Sequence, residues 1–362
     1  MWVDASGSRA FVPDDLRFDE LVEFPDARFP EFFTAIHEIE GTLRAQRRRA
    51  VFYRLLLQRD ANSFSPRLAG ERLTDLAYVN VPFAEVHLFS SAQELCFARA
   101  AQYLFEHFST HDLLRVLCQA QRRLVPDQVG AGTIRSTPVW MGRRATQVED
   151  AFVILTPPEY VRPALERFAS ALDSVPPEFR LASVAMAHFQ LVAIHPFRDA
   201  NGRLVRAFTP ALMRKLGLLR QPSLFVSEEL RLRQWEYYRR LESLEHFDEL
   251  SAWISFFVRV LTAQAWRTVT LLRLTAYVRS DIAARFKDAG APTSSAIALA
   301  DEVLLNPTLS RSRIAAALGL HEPESSAILS RLTGAYGLAK CTDDDDPLFQ
   351  FGDIVELFRQ EK

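Results

Sequence analysis

Lysine is nearly missing from the basic residues of this chain. Only Lys215, Lys287, Lys340 and Lys362 occur among 43 lysines and arginines in 362 residues. Arginine therefore carries the positive charge, which selects no function by itself. Cysteine is equally scarce. Cys96, Cys118 and Cys341 are odd in number and lack metal-ligand spacing, which excludes a disulfide framework and a cysteine metal site and suits a reducing compartment. The formal charge of -2 gives no global attraction toward nucleic acid or an anionic membrane. No uninterrupted apolar run approaches the roughly 20 residues of a membrane-spanning helix. The opening residues, MWVDASGSRAF, show neither the basic nor the apolar region of a secretion signal, so a cytoplasmic protein is expected. What remains is an ordinary globular composition, 48% hydrophobic and 24% charged, long enough for two or three domains.

One stretch concentrates the chemistry: HPFRDANGRLVR, residues 195–206. Apolar residues at helical spacing lead into it (Ala187, Leu191, Ile194) and out of it (Leu204, Val205, Phe208, Leu212), which predicts a loop between two buried helices. Pro196 should end the first helix at His195, because proline disfavours helical backbone in the residue before it. Asn201 or Gly202 can open the second. Its first N–H groups have no partner inside the helix and carry the positive end of the dipole, which makes an anion site. Arg203 and Arg206 share a face of that first turn, where their forks can grip phosphate oxygens. Asp199 offers a hard oxygen ligand for a magnesium ion riding on phosphates. His195 is the one group there able to accept a proton near neutral pH. Taken singly, each has a plainer explanation: a helix-end histidine, an Asn-Gly turn, a solvated arginine face. Their concentration in one loop points to a phosphoryl or nucleotidyl transfer site.

The stretch resembles the signature of the Fic family (filamentation induced by cAMP), written HxFx(D/E)(G/A)NGRxxR, with Ala200 a tolerated variant of glycine. The resemblance covers about residues 30–269. It implies an all-α core with a short β-hairpin flap, and transfer of AMP from ATP to a Ser, Thr or Tyr hydroxyl of a protein. Combined with the loop chemistry, it implies that magnesium on Asp199 bridges the α- and β-phosphates and that Asn201 orients the α-phosphate. Gly202 and Arg203 then hold the β-phosphate, Arg206 holds the γ-phosphate, and His195 takes the proton of the attacking hydroxyl. Ala200 completes the nucleotide loop, and Phe197 is expected to supply packing.

Three further segments resemble parts of that family. From Pro30 an amphipathic helix reaches Glu40 and Gly41, and residues 36–41 (IHEIEG) resemble the inhibitory segment (S/T)xxxE(G/N), with Ile36 at the Ser/Thr position. The resemblance implies that Glu40 pairs with Arg206 and displaces the γ-phosphate. Residues 130–158 resemble the flap: Gly132, Arg135, Val139, Trp140 and Gly142 fit its pattern, as do Pro157 and Pro158. Val139, Trp140, Met141 and Gly142 would pair by backbone with the target. In WEYYRRL, Tyr237 and Tyr238 match paired tyrosines of the family, and Tyr238 is the candidate to flank the nucleoside.

The expected division is an irregular arm over 1–29, a helical region over 30–125, a catalytic core over 126–287 and a small module over 296–362 that resembles a winged helix. In that module a helix opening with Glu322 and Glu324 and a tip at residues 343–346 (DDDD) argue against binding DNA phosphates, although Arg311, Arg313 and Arg331 keep that alternative open. The expected partners are ATP and a protein hydroxyl, with self-modification and a homodimer both compatible and no membrane. Use of another phosphate donor, removal of AMP, and a DNA-binding regulator with a nucleotide-sensing core are the alternatives.

Overall fold

A computed structural model of the chain describes residues 2–5, 8–46, 49–63, 92–141, 153–243, 250–306, 308–335, 338–342 and 345–351. They are overwhelmingly helical, with two small sheets. The all-α class implied by the resemblance is the class observed. Two compact units divide the chain: Met1–His37, Ser63–Ser65 and Ser91–Trp266 form one, and Glu38–Asn62, Pro66–Ser90 and Arg267–Lys362 the other. Helix α1 (Pro30–Ala45) contributes to both, and α2 (Arg49–Ser63) lies largely in the second.

The first unit is built on α3 (Ala92–His107), α4 (Leu113–Leu124), α5 (Pro158–Asp173), α6 (Arg180–Ile194) and α7 (Asn201–Lys215). Short helices α8 (Ser227–Leu232) and α9 (Gln234–Ser243) follow, and then the start of α10 (Leu250–Asp288). Helix α4 shows why the pattern works. Leu113, Val116, Leu117, Ala120 and Leu124 fall on one face and are buried, while Arg115, Arg122 and Arg123 fall elsewhere. Helix α6 differs: thirteen of its fifteen residues are buried, so it is the central helix, apolar on every side. The indole of Trp253 on α10 is fully buried and donates to the Ala185 carbonyl of α6 at 2.8 Å. At the N-terminal end of α6, Asp26 accepts from Leu181 N–H (2.9 Å) and Arg180 Nε (3.0 Å), capping the helix from a distant segment.

The first residues, expected as an irregular arm, instead form an antiparallel ribbon, β1 (Trp2–Ala5) and β2 (Ser8–Phe11). Strand β2 pairs in parallel with β4 (Val153–Ile154), which pairs antiparallel with β3 (Trp140–Met141), giving the order β1-β2-β4-β3. The hairpin of β3 and β4 falls where the flap resemblance places it, whereas β1 and β2, four residues each, are too short to show a two-residue period and are revealed by backbone pairing.

In the second unit, the remainder of α10 runs on to Asp288, with Leu272, Val278, Ile282 and Phe286 buried along it. It is followed by α11 (Thr293–Leu305), α12 (Arg311–Leu318) and α13 (Glu322–Ala335). Strands β5 (Thr308–Ser310), β6 (Ala339–Lys340) and β7 (Leu348–Gln350) form a sheet of order β5-β7-β6. Gly319 ends α12 in the left-handed conformation at φ +66°, as a C-terminal glycine should. Asp346 accepts from Ser312 N–H (2.8 Å) and Ser312 Oγ (2.6 Å), so one acid of the 343–346 run is spent inside the fold at the start of α12. Asp343 and Asp344 lie outside the described residues. Among the described residues, no helix is long and apolar enough to cross a membrane.

Candidate active site

The loop between α6 and α7 is bracketed by two residues in left-handed backbone. His195 sits at φ 47°, ψ 61° and Ala200 at φ 67°, and they are the only non-glycine residues with positive φ among those described. Such backbone costs a side-chain-bearing residue about 1–2 kcal/mol and persists only where the surroundings impose it. Pro196 ends α6 and Asn201 begins α7, as the sequence requires.

Asn201 fixes the loop's span. Its Oδ1 accepts from Phe197 N–H at 3.0 Å and its Nδ2 donates to Phe197 O at 2.7 Å, with the side chain buried. The Phe197 ring is fully buried below it. The carboxamide thus staples the loop across four residues, a role not evident from the signature alone. Leu204 N–H is the first to bond back along α7, onto Ala200 O at 2.8 Å. The earlier amides of α7, at Asn201, Gly202 and Arg203, have no partner inside the helix and point toward the loop mouth. Arg206 folds back over this turn: a Cβ added at Gly202 would stand 3.5 Å from its Nη1. Arg203 reaches Asp199 Oδ2 at 3.6 Å and Leu124 O at 3.5 Å. Arg203 therefore lies on the first turn, and Arg206, one turn on, brings its guanidinium back to the same helix end.

His195 is held for proton acceptance. Its Nδ1 lies 3.0 Å from Val192 O, and a carbonyl can only accept, so Nδ1 carries the hydrogen and Nε2 keeps its lone pair. Burial pulls the imidazole pKa down to about 4, aided by the nearby Arg135 charge and opposed by the Val192 bond and Asp199. The residue as a whole is half-buried. At neutral pH it is an uncharged base.

Arg135 matches the flap pattern, but the structure gives it a larger task. Buried, it sends Nε to His195 O (2.7 Å), Nη1 to Thr137 O (3.0 Å) and Nη2 to Thr156 O and Ile194 O. Its own N–H bonds Pro196 O at 3.1 Å. One guanidinium thus caps the end of α6, holds the His195 carbonyl and ties in both sides of the flap base. Burial lowers its pKa to about 10, which leaves it charged at neutral pH. Gly132 is required at its place: φ is +77°, and a Cβ would stand 2.9 Å from Cys118 O. Its N–H bonds Gln121 Oε1, while Gln121 Nε2 donates to Asp199 O at 3.3 Å.

The remaining expected residues are placed as follows. Asp199 has a side chain 56% exposed, with Oδ1 accepting from Ala200 N–H at 2.6 Å. One exposed carboxylate beside a phosphate-ready helix end suits magnesium, which takes one or two carboxylates and completes its shell with phosphates and water. Among the described residues, no group of three or more acidic, histidine or cysteine side chains could hold a metal alone. Val139 and Trp140 are half-buried, and Val139 O accepts from Leu155 N–H at 3.1 Å. Met141 ends β3, and Gly142 lies outside the described residues. Tyr237 is buried and Tyr238 is 43% exposed, so the paired tyrosines face opposite ways. Glu40 is 24% exposed and lies 3.7 Å from Arg44 on its own helix. Ile36, at the pattern's Ser/Thr position, is buried, and a Cβ at Gly41 would meet nothing within 4 Å.

Residues 107–213 match the Fic/DOC family, which spans the flap base, α6, the loop and α7. Protein adenylyltransferase fic-1 of Caenorhabditis briggsae is 35% identical over 122 residues, covering 32% of this chain and 20% of that protein. The Caenorhabditis elegans protein of the same name is 32% identical over 142 residues, covering 36% and 24%. The match thus spans less than a third of either relative. A Fic family protein from Desulfovibrio desulfuricans G20 aligns over 89% of this chain and 96% of its own, at 19% identity and a TM-score of 0.46.

Proposed function

We propose that this Fic-domain chain is a protein adenylyltransferase, which moves AMP from ATP to a Ser, Thr or Tyr hydroxyl of a protein and releases pyrophosphate. The observation that carries the reading is the state of His195: Nδ1–H is committed to Val192 O, so the neutral Nε2 is the atom that accepts the hydroxyl proton. The oxygen so freed attacks the α-phosphorus, and the bond from that phosphorus to the bridging oxygen breaks. The amides opening α7 and the forks of Arg203 and Arg206 stabilise the charge that collects on the phosphate oxygens. Magnesium, with Asp199 as its protein ligand, supplies further charge neutralisation when bound. Two relatives carry the name protein adenylyltransferase, which supports this choice among transfer reactions.

The proposed brake is Glu40, acting on Arg206 to exclude the γ-phosphate. Incubating wild type and Glu40→Gly with magnesium and ATP labelled at the α- or the γ-phosphate tests both points. The expected result is strong protein labelling by Glu40→Gly from α-labelled ATP only, weak labelling by wild type, and none by Glu40→Gly/His195→Ala, which should still bind ATP. Retained transfer without His195 would remove it as the base. Label from the γ-phosphate would replace AMP transfer with phosphorylation.

A further inference from the structure

Between α6, α7 and α9 lies a buried polar chain that the proposed reaction does not use. His188 on α6 is buried with Nδ1 2.9 Å from Thr209 Oγ1 and Nε2 3.0 Å from Tyr237 Oη. Every proton in this chain can be assigned. Thr209 spends its hydroxyl hydrogen on Val205 O, 2.8 Å away on the same helix, so its oxygen must accept from His188 Nδ1–H. Nε2 is then an acceptor, and the hydrogen between it and Tyr237 comes from the phenol. The sequence of donations runs Tyr237 to His188 to Thr209 to Val205, each used once. Phe257 and Trp253 pack around the imidazole, with centroids 4.5 and 6.2 Å away, and the residue is buried.

We infer that His188 and Tyr237 are positioning residues for Arg206, and that they set how strongly the loop prefers a triphosphate over a shorter nucleotide. The chain ends on Val205 and Thr209, the residues that flank Arg206 on α7. It fixes the rotation of that turn against α6 and α9 and so aims the guanidinium, which folds back over Gly202. The Arg206 charge acts on both groups: burial pulls His188 down to about 3 and pushes Tyr237 up, and Arg206 adds to the first shift and opposes the second. A neutral wall suits the task, because a second cation there would repel the guanidinium and an anion would compete with phosphate for it.

The inference rests on the nucleotide reading above, and affinities separate the two. In the Glu40→Gly background of the full chain, ATP and AMP are titrated calorimetrically with magnesium. Tyr237→Phe should weaken ATP about tenfold, the worth of one well-placed charged contact, and AMP by less than about twofold. Adding Tyr237→Phe to Arg206→Ala should cost ATP nothing more. Thr209→Val, which breaks the chain at its other end without changing an aromatic ring, should repeat the ATP-selective loss if Tyr237→Phe does not fold. Equal weakening of ATP and AMP, or unchanged ATP affinity, overturns the positioning role while leaving the nucleotide site intact. Failure of the parent chain to bind either nucleotide overturns both.

Discussion

Two histidines held neutral in the fold predict a specific acid response. His188 and His195 have pKa values drawn down to about 3 and about 4 by burial, against about 6.5 in an unfolded chain. The folded pKa is depressed, so the unfolded state binds more protons across the window between. Stability is full above pH 6.5 and falls as pH drops toward the folded values. Between pH 6.5 and 5.0 each histidine stays neutral when folded and gains most of a proton when unfolded. That difference integrates to about 1.6 kcal/mol per histidine, and so roughly 3 kcal/mol for the pair. The window lies above the ordinary carboxylate range, so Asp173 and Asp346, whose carboxyls are held below their usual values, should contribute little. Hydrogen exchange read on peptides within 181–194 reports the opening of α6 without requiring the whole chain to unfold at once. The opening free energy should fall by about 3 kcal/mol over this window, and by about half as much in His188→Asn. An unchanged opening energy, or an equal fall in His188→Asn, would refute the neutral buried state of His188.

Three other substitutions test the loop and its supports. Arg135→Ala should destabilise the first unit by about 2–4 kcal/mol, read by denaturant melts, because it strands several buried carbonyls at once; it should also reduce transfer by loosening His195. Ala200→Gly should raise stability by up to about 1 kcal/mol, since the left-handed strain it relieves exceeds the entropy glycine brings. Asp346→Ala should lower the stability of the second unit by about 1 kcal/mol through the lost cap on α12, which exchange protection at the start of that helix would reveal.

The residues of the candidate site were the most legible part of the chain. His195, Pro196, Asn201, Gly202, Arg203 and Arg206 are fixed in kind by what a helix end, a loop and an anion site demand, and α6 and α7 fall where the apolar spacing puts them. The supports were not legible. Asp26 reaches α6 across 155 residues, Arg135 reaches His195 across 60, and His188 reaches Tyr237 across 49. No local period marks such pairs. His188 reads in sequence as one polar residue in an apolar run, and only its partners show that it is satisfied. Arg135 could be matched to a flap pattern, yet its bonds to four carbonyls depend on where α6 ends in space. The ribbon of β1 and β2 was missed because its strands are held by backbone pairing and carry no pattern of their own.

That ribbon changes what the flap is. Strands β3 and β4 contribute two residues each, and a pair so short is marginal in water when it stands alone. With β2 paired at Ala10 and Ile154, β4 becomes an interior strand and β3 becomes, among the described residues, the border of a four-stranded sheet. A polypeptide laid along β3 would meet a border whose backbone has already lost its freedom. Less ordering then accompanies the encounter, and selectivity falls to the few side chains near the border rather than to its length.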